Sequence, residues 1–271
     1  MVSNLLEADV ETVLDGAFAG TDDELLVIDP SAETVTALIE ARIEREDLPR
    51  MSMLADEGVL KNVMDDFLIA SKAADLVDSD ALSLRLLPAD VENALFVSES
   101  RAVAIVGAAD QVAALSTTDE AFVSEVYATH RAAFDDAETY ALRTPAISRV
   151  RETMAAEIGE PARDDFDAVL EALDTARGGN GSLDEVTVSL LVAARNDVLL
   201  YDISKWGEDV GIASKATFSR TKTRLEDLGL IDTEKVPIDV GRPRLRLKIG
   251  DERLVGLDPA DFADVAVDLA A

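Results

Sequence analysis

Cysteine is absent from this chain of 271 residues, and histidine occurs once, at His130. No disulfide framework, thiolate nucleophile, Cys-ligated zinc or iron–sulfur cluster can be built, and imidazole chemistry is confined to one mid-helix position. Positive charge is scarce: 25 Lys and Arg stand against 55 Asp and Glu, giving a formal charge of −30. Long apolar runs are missing too. The longest, 102–109, falls far short of the roughly 20 residues of a membrane span, and residues 1–7 lack the basic start and apolar stretch of a signal peptide. The expectation is a soluble, cytoplasmic protein with no membrane partner.

Hydrophobic residues make up 48% of the chain, enough for real cores and, at this length, for about two domains. Acidic pairs such as Asp22-Asp23, Asp65-Asp66, Asp135-Asp136 and Asp164-Asp165 recur along the whole chain. Spread so evenly, they read as a hydrated surface rather than as general acid/base machinery. Self-repulsion at −30 is tolerable where molar salt shortens the Debye length to about 3 Å. With only 7 Lys against 18 Arg, the composition resembles that of proteins from salt-accumulating, halophilic archaea.

The first half alternates in type. An apolar-periodic stretch over 5–18 precedes Leu25-Leu26-Val27-Ile28, and a helical pattern follows with Val35, Leu38, Ile39 and Ile43. Then come Met51-Ser52-Met53-Leu54, a long helical segment with Val59, Val63, Phe67 and Leu68, and the alternating Leu82, Leu84 and Leu86. Two further runs, 94–97 and 102–106, read as an antiparallel hairpin. The predicted fold class is α/β, an αβαβαβββ mixed-sheet domain followed by helices. Thr117 with Glu120 has capping-box spacing before the helix holding His130; Thr144-Pro145 opens another helix ending at Gly159, and a third follows Pro161. Asp29 and Asp56, at strand ends, read as helix caps, and Arg85 and Arg101 as surface salt-bridge partners. Arg177 and the Gly-rich segment 178–182 mark a linker. The predicted domains are 1–177, regulatory and dimerising, and 183–271, with a C-terminal tail helix.

The second domain carries the informative motif. Ser182-Leu183-Asp184-Glu185 opens a helix, a short helix over about 203–210 ends at Gly211, and Ser214 caps a third helix with Phe218, Thr221, Leu225 and Leu228 on one face before Gly229. Two strand patterns, 230–236 and 244–249, flank the turn Val240-Gly241-Arg242-Pro243. This is a winged helix-turn-helix pattern. Residues 214–248 hold nine basic and five acidic residues, a net +4, whereas the other 236 residues sum to −34. That concentration calls for an anionic partner, and with the helix-turn-helix pattern the expected one is double-stranded DNA.

On the third helix, Thr217, Arg220 and Arg224 follow i, i+3, i+7 spacing, flanked by Lys215, Ser219, Lys222 and Thr223. Arginine can pair bidentately with guanine, while Ser, Thr and Lys also hold phosphates. Arg242 at the wing tip and Arg244 beside it complete the candidate DNA-binding set, with Arg242 reaching a minor groove or backbone. Trp206 reads as core packing. No catalytic, cofactor or metal site is expected, because there is no Gly-rich phosphate loop and His130 has no second histidine.

The segment from Ser214-Lys215-Ala216-Thr217-Phe218-Ser219-Arg220 to Leu228-Gly229-Leu230-Ile231 resembles the recognition helix and first wing strand of archaeal winged-helix regulators. With the acidic α/β half, the whole chain resembles the haloarchaeal TbsP-type transcriptional regulators associated with the TrmB regulator of sugar metabolism. That resemblance implies sequence-specific promoter binding at genes of central carbon metabolism. The first half also resembles the phospholipase-D-like regulatory domains of TrmB-type proteins but lacks their His-x-Lys signature, which implies a non-catalytic role in dimerisation or in sensing an unknown effector. A homodimer is expected, with the helices over 145–158 and 162–177 relaying any signal. Two alternatives stand beside this reading. A protein–protein adaptor would keep its chromatin recruitment after Arg220→Ala and Arg242→Ala once its partner is present, and a metabolite-binding α/β protein would show ligand stabilisation of residues 1–177 without a DNA footprint.

Overall fold

The computed structural model describes residues 3–7, 10–18, 24–88, 94–108, 111–175, 183–237 and 243–270. The chain divides into two compact units, Met1–Leu142 and Arg143–Ala271.

The first unit runs β1 (Ser3–Glu7), α1 (Val10–Phe18), β2 (Leu25–Ile28), α2 (Ala32–Glu44), β3 (Met51–Ala55), α3 (Glu57–Met64), α4 (Phe67–Asp78), β4 (Leu82–Leu86), β5 (Ala94–Val97), β6 (Ala102–Ala108), β7 (Gln111–Thr117) and α5 (Glu120–Asp136). Its seven strands lie in the order β1-β7-β6-β5-β2-β3-β4. Strands β2, β3 and β4 are parallel, as short crossover helices require, and β5, β6 and β7 meander antiparallel from the β2 edge. The expected mixed α/β fold stands, with two strands more than its pattern contained. Residues 5–18 are not one helix: the first of them pair with β7 as β1, and only Val10–Phe18 coils. The alanine-rich β7, Gln-Val-Ala-Ala-Leu-Ser-Thr, carries too little contrast for its period to show in sequence.

One sheet face packs on α1 to α4 through Leu14, Phe18, Leu38, Ile39, Leu60 and Ile69. The other receives α5 through Val123 and Phe134. Glu24 ties α5 down. Its carboxylate accepts from Arg131 Nη1 at 2.6 and 2.7 Å, from Tyr127 Oη at 3.3 Å, and from the buried Ser52 hydroxyl. Arg85 is not a surface salt-bridge partner: its Nη1 donates to the carbonyls of Phe134 and Asp135 at 2.7 Å and of Ala137 at 3.2 Å, capping the C-terminus of α5 with its charge over the Phe134 ring.

Asp56 caps α3 as expected, accepting from the amides of Gly58 and Val59. Asp29 does not cap α2. Ser31 does, its hydroxyl accepting from Thr34 N, because Pro30 sets the chain two residues further on before the first turn begins. Thr117 is likewise the last residue of β7, and Asp119 caps α5 by accepting from Phe122 N.

The second unit comprises α6 (Ile147–Glu157), α7 (Glu160–Thr175), α8 (Glu185–Arg195), α9 (Leu200–Val210), α10 (Lys215–Asp227), β8 (Ile231–Val236), β9 (Arg244–Ile249), a 3-10 turn (Glu252–Leu254) and α11 (Pro259–Ala270). The boundary expected at the Gly-rich segment is thereby moved to 142/143. Segment 178–182 lies outside the described residues, and α7 and α8 on either side of it belong to one unit. Glycine content is a local signal, whereas burial decides the domain. Met154 on α6 and Phe166 and Val169 on α7 are buried where these helices meet α8, α9 and α11. Trp206 is core, as expected, and donates from Nε1 to Thr153 Oγ1 on α6 at 3.0 Å.

Candidate nucleic-acid interface

Helices α8, α9 and α10 form a three-helix cluster in which α8 and α10 start at short polar caps and α9 starts at Leu199 without one. Asp184 Oδ1 accepts from Thr187 N at 2.7 Å to start α8. Gly211, at φ 96, ends α9 in the left-handed region, and Ser214 accepts from Thr217 N to start α10. Gly207 sets how closely α9 and α10 approach: a Cβ there would stand 2.3 Å from the Phe218 ring. Strands β8 and β9 pair from Ile231↔Ile249 to Val236↔Arg244, and an isolated bridge Leu199↔Arg246 brings the α8–α9 turn onto the free edge of β9. The helix-turn-helix with a β wing is complete except for the tip.

On α10, Phe218 and Leu225 are buried, while Lys215, Ala216, Ser219, Arg220, Thr223, Arg224 and Asp227 are exposed. At 100° per residue, Ala216, Arg220, Thr223 and Asp227 share the outermost line with Ser219 beside it. Arg220 is its cation. Among the described residues its guanidinium bonds only Thr217 Oγ1, at 3.3 Å, and no carboxylate lies within ion-pair distance. Thr217 is half-buried and shares a 3.1 Å hydrogen bond with the capping Ser214. It orients Arg220 rather than standing outermost.

Four other members of the predicted set are already engaged. Lys215 Nζ lies 2.8 Å from Glu208 on α9, and its backbone N–H also donates to Glu208 at 3.3 Å. The pair holds the Glu208 carboxyl below, and the Lys215 ammonium above, their ordinary ranges through their mutual hydrogen bond. Arg224 donates to Thr187 Oγ1 at 2.9 Å and lies 3.5 Å from Asp184. Arg244 stacks 4.6 Å above the Tyr201 ring and 3.7 Å from Asp202.

Lys222 does not belong on the outer face. Its side chain is 12% exposed and bonds Glu226 at 2.6 Å, and Glu226 in turn accepts from Thr233 Oγ1 on β8. This chain of contacts fixes α10 to the wing. Leu228, expected on the apolar stripe, is exposed because α10 ends at Asp227. Arg242 lies outside the described residues.

Three contributors escaped the sequence reading. Ala216 puts a bare methyl on the outermost line near the N-terminus of α10, where a thymine methyl is the matching surface. Tyr201 and Glu208 hold Arg244 and Lys215. Only Ala216 had a legible signal, its i, i+4 spacing to Arg220. His130 is half-buried on α5, and burial lowers its pKa. Among the described residues no His, Asp and Glu group could hold a metal, and no helix is long and apolar enough to cross a membrane.

The family model for the N-terminal domain of TbsP-like transcriptional regulators matches residues 2–145, and that for their C-terminal helix-turn-helix domain matches 146–267. The chain belongs to the TbsP-like transcriptional regulators. Their two domains meet at the division between the compact units, within a few residues. As a member, the chain is a regulator with a C-terminal helix-turn-helix domain, and the interface above lies inside that domain. Among curated proteins no relative matches.

Two solved structures are loosely similar. TrmBL2, an archaeal chromatin protein described as showing a novel mode of DNA binding, is 14% identical with a TM-score of 0.39, over 51% of this chain and 54% of its own. The chain thus spans about half the length of TrmBL2. Nuc from Salmonella typhimurium, a phospholipase D family member, is 11% identical with a TM-score of 0.36, over 52% of this chain and 99% of its own. Likenesses this distant do not bear on function.

Proposed function

We propose that the chain is a homodimeric, sequence-specific regulator that reads double-stranded promoter DNA with the outer line of α10 and the wing. The observation that carries this reading is Arg220, exposed at the centre of an N-capped helix, without a carboxylate partner among the described residues and flanked by Ala216, Ser219 and Thr223. That combination suits a major groove: a fork for guanine, a methyl for thymine and hydroxyls for either base edges or phosphates. Lys235, exposed on β8, would contact the backbone on the wing side. The resemblance to TrmB-associated regulators supports targets among central carbon metabolism genes, and the −30 charge supports operation in molar salt.

The first unit would supply dimerisation, with room for an unidentified effector. Strands β6 and β7 support this: Val106 and Leu115 are about half exposed on one sheet face, in register with Ala113 and Ala104, and residues 102–118 contain one charge, Asp110. Two −30 chains repel wherever carboxylates face each other, so an uncharged face is where copies can meet. Two recognition helices would then address half-sites about one helical turn apart.

The test is selection of genomic fragments by the purified full-length protein in molar KCl, beside Arg220→Ala. A partly palindromic motif recovered by the wild type and lost in the variant is the expected result. Enrichment without a motif, unchanged in Arg220→Ala, would overturn the reading.

A further inference from the structure

Of the eight described cations in residues 214–248, five lie within 4.0 Å of a carboxylate of the same chain. Lys215 is matched by Glu208, Lys222 by Glu226, Arg224 by Asp184, Arg244 by Asp202, and Lys248 by Asp197. Arg220, Lys235 and Arg246 have no such partner among the described residues. The segment that is +4 in sequence is therefore far less cationic in space, because four of the five partners come from residues 184–208, outside it.

Glu208 is placed most tellingly. It accepts from both the ammonium and the backbone N–H of Lys215, the first residue of α10. The N-terminus of a recognition helix is where a DNA phosphate ordinarily finds N–H donors and a favourable dipole. Here a carboxylate of the protein occupies that position. A neutral pair meets the phosphates as a dipole, so it attracts them weakly and displaces little counterion.

We infer that Glu208 and Asp202 are specificity-determining residues of a self-neutralised interface, holding Lys215 and Arg244 in neutral pairs so that duplex DNA is selected through Arg220 rather than gripped by its phosphates. The inference rests on the DNA-binding reading above and adds to it a stated salt response. Affinity falls with log salt at about 0.9 per phosphate neutralised. Nine engaged cations would give a slope of about −8, whereas the three unpaired ones with Arg242 give between about −3 and −4. The shallow slope is what preserves binding in concentrated salt, and the weak phosphate grip is what leaves base contacts to decide among sites.

The experiment is fluorescence anisotropy of the full-length protein on a labelled random-sequence duplex pool, from low to molar KCl, for the wild type, Glu208→Gln and Asp202→Asn. Both amides keep an acceptor oxygen while removing the charge. The wild type is expected to show the shallow slope. Each variant is expected to steepen it by about one and to tighten low-salt binding several-fold. A wild-type slope near −8, or slopes unmoved in both variants, would overturn the inference while leaving DNA binding intact. No binding by the folded protein at any salt would remove the DNA-binding reading and the inference with it.

Discussion

Helices α8 and α10 lie side by side in one helix-turn-helix and are built in opposite ways. On α8 nine consecutive residues, Val186, Thr187, Val188, Ser189, Leu190, Leu191, Val192, Ala193 and Ala194, are buried on every side. On α10 only Phe218 and Leu225 are buried out of thirteen residues. A helix buried all round must sit inside a core, while one that buries a single narrow stripe presents the rest of its surface to solvent or a partner. The contrast separates scaffold from candidate reader: α8 is enclosed by its neighbours, whereas α10 is held along one side by α8, α9 and the wing and leaves the other side open.

The severest way to break the contrast is to remove one of the two anchors. Phe218→Ala deletes a fully buried ring and should cost about 3–5 kcal/mol, visible as a large drop in the thermal midpoint together with loss of any DNA binding. Next in size is Gly207→Ala. The added methyl would stand 2.3 Å from Phe218, and the ring, buried on all sides, has nowhere to move without shifting α10. Overpacking of this kind costs about 1–3 kcal/mol. Chemical denaturation should show the loss, and a repacking Phe218→Leu in the same chain should recover part of it. An unchanged midpoint in Gly207→Ala would mean that α9 and α10 are not so closely apposed.

Much of this was legible in sequence, and the gaps have physical causes. The apolar stripe, the Ser214 cap, Gly211 and Gly229 all announced α10, since helix ends and periodic faces are local properties. Two strands of the sheet, β1 and β7, were harder. β1 is too short to separate from the helix after it, and β7 is alanine-rich enough to suit either period. The domain boundary was misplaced because a glycine cluster at Gly178, Gly179 and Gly181 is a purely local signal in sequence, whereas the burial of Met154 and Phe166 depends on helices far along the chain. Within the candidate site, composition located the cationic segment but not which of its cations are already paired. The count of nine basic residues carries no information on Glu208, Asp184, Asp197 and Asp202, which lie elsewhere in sequence and reach the cations only in the fold. Lys222 shows the same limit, since its i, i+4 partner Glu226 was visible but the contact of Glu226 with Thr233 was not.

The reader half of the contrast is sharpened by Arg220→Ala. The side chain is exposed and supports nothing in the fold beyond one bond to Thr217, so the thermal midpoint should move by less than about 0.5 kcal/mol equivalent. Binding to the recovered motif should weaken by about 1–3 kcal/mol, and discrimination at one base position should relax. A matched Lys222→Met would do the reverse, lowering stability through lost contact with Glu226 while leaving base preference alone.

The smallest effect tests the scaffold half. Glu185, in the first turn of α8, has its pKa raised mainly by burial; its own backbone N–H opposes the shift, and the Asp184 charge adds to it. An acid whose pKa is higher folded than unfolded binds its proton more tightly in the native state. Its contribution to stability is therefore complete below the unfolded value and is lost as pH rises through the folded one. At neutral pH the ionised carboxylate is a burden that Glu185→Gln removes. The variant should melt slightly above the wild type at pH 7, with the difference shrinking to nothing as pH falls below the ordinary carboxylate range. A variant that melts lower at pH 7 would show that attraction between the charge and the α8 dipole outweighs its burial. The first turn of α8 would then resemble the solvent-facing start of α10 more than the core that follows it.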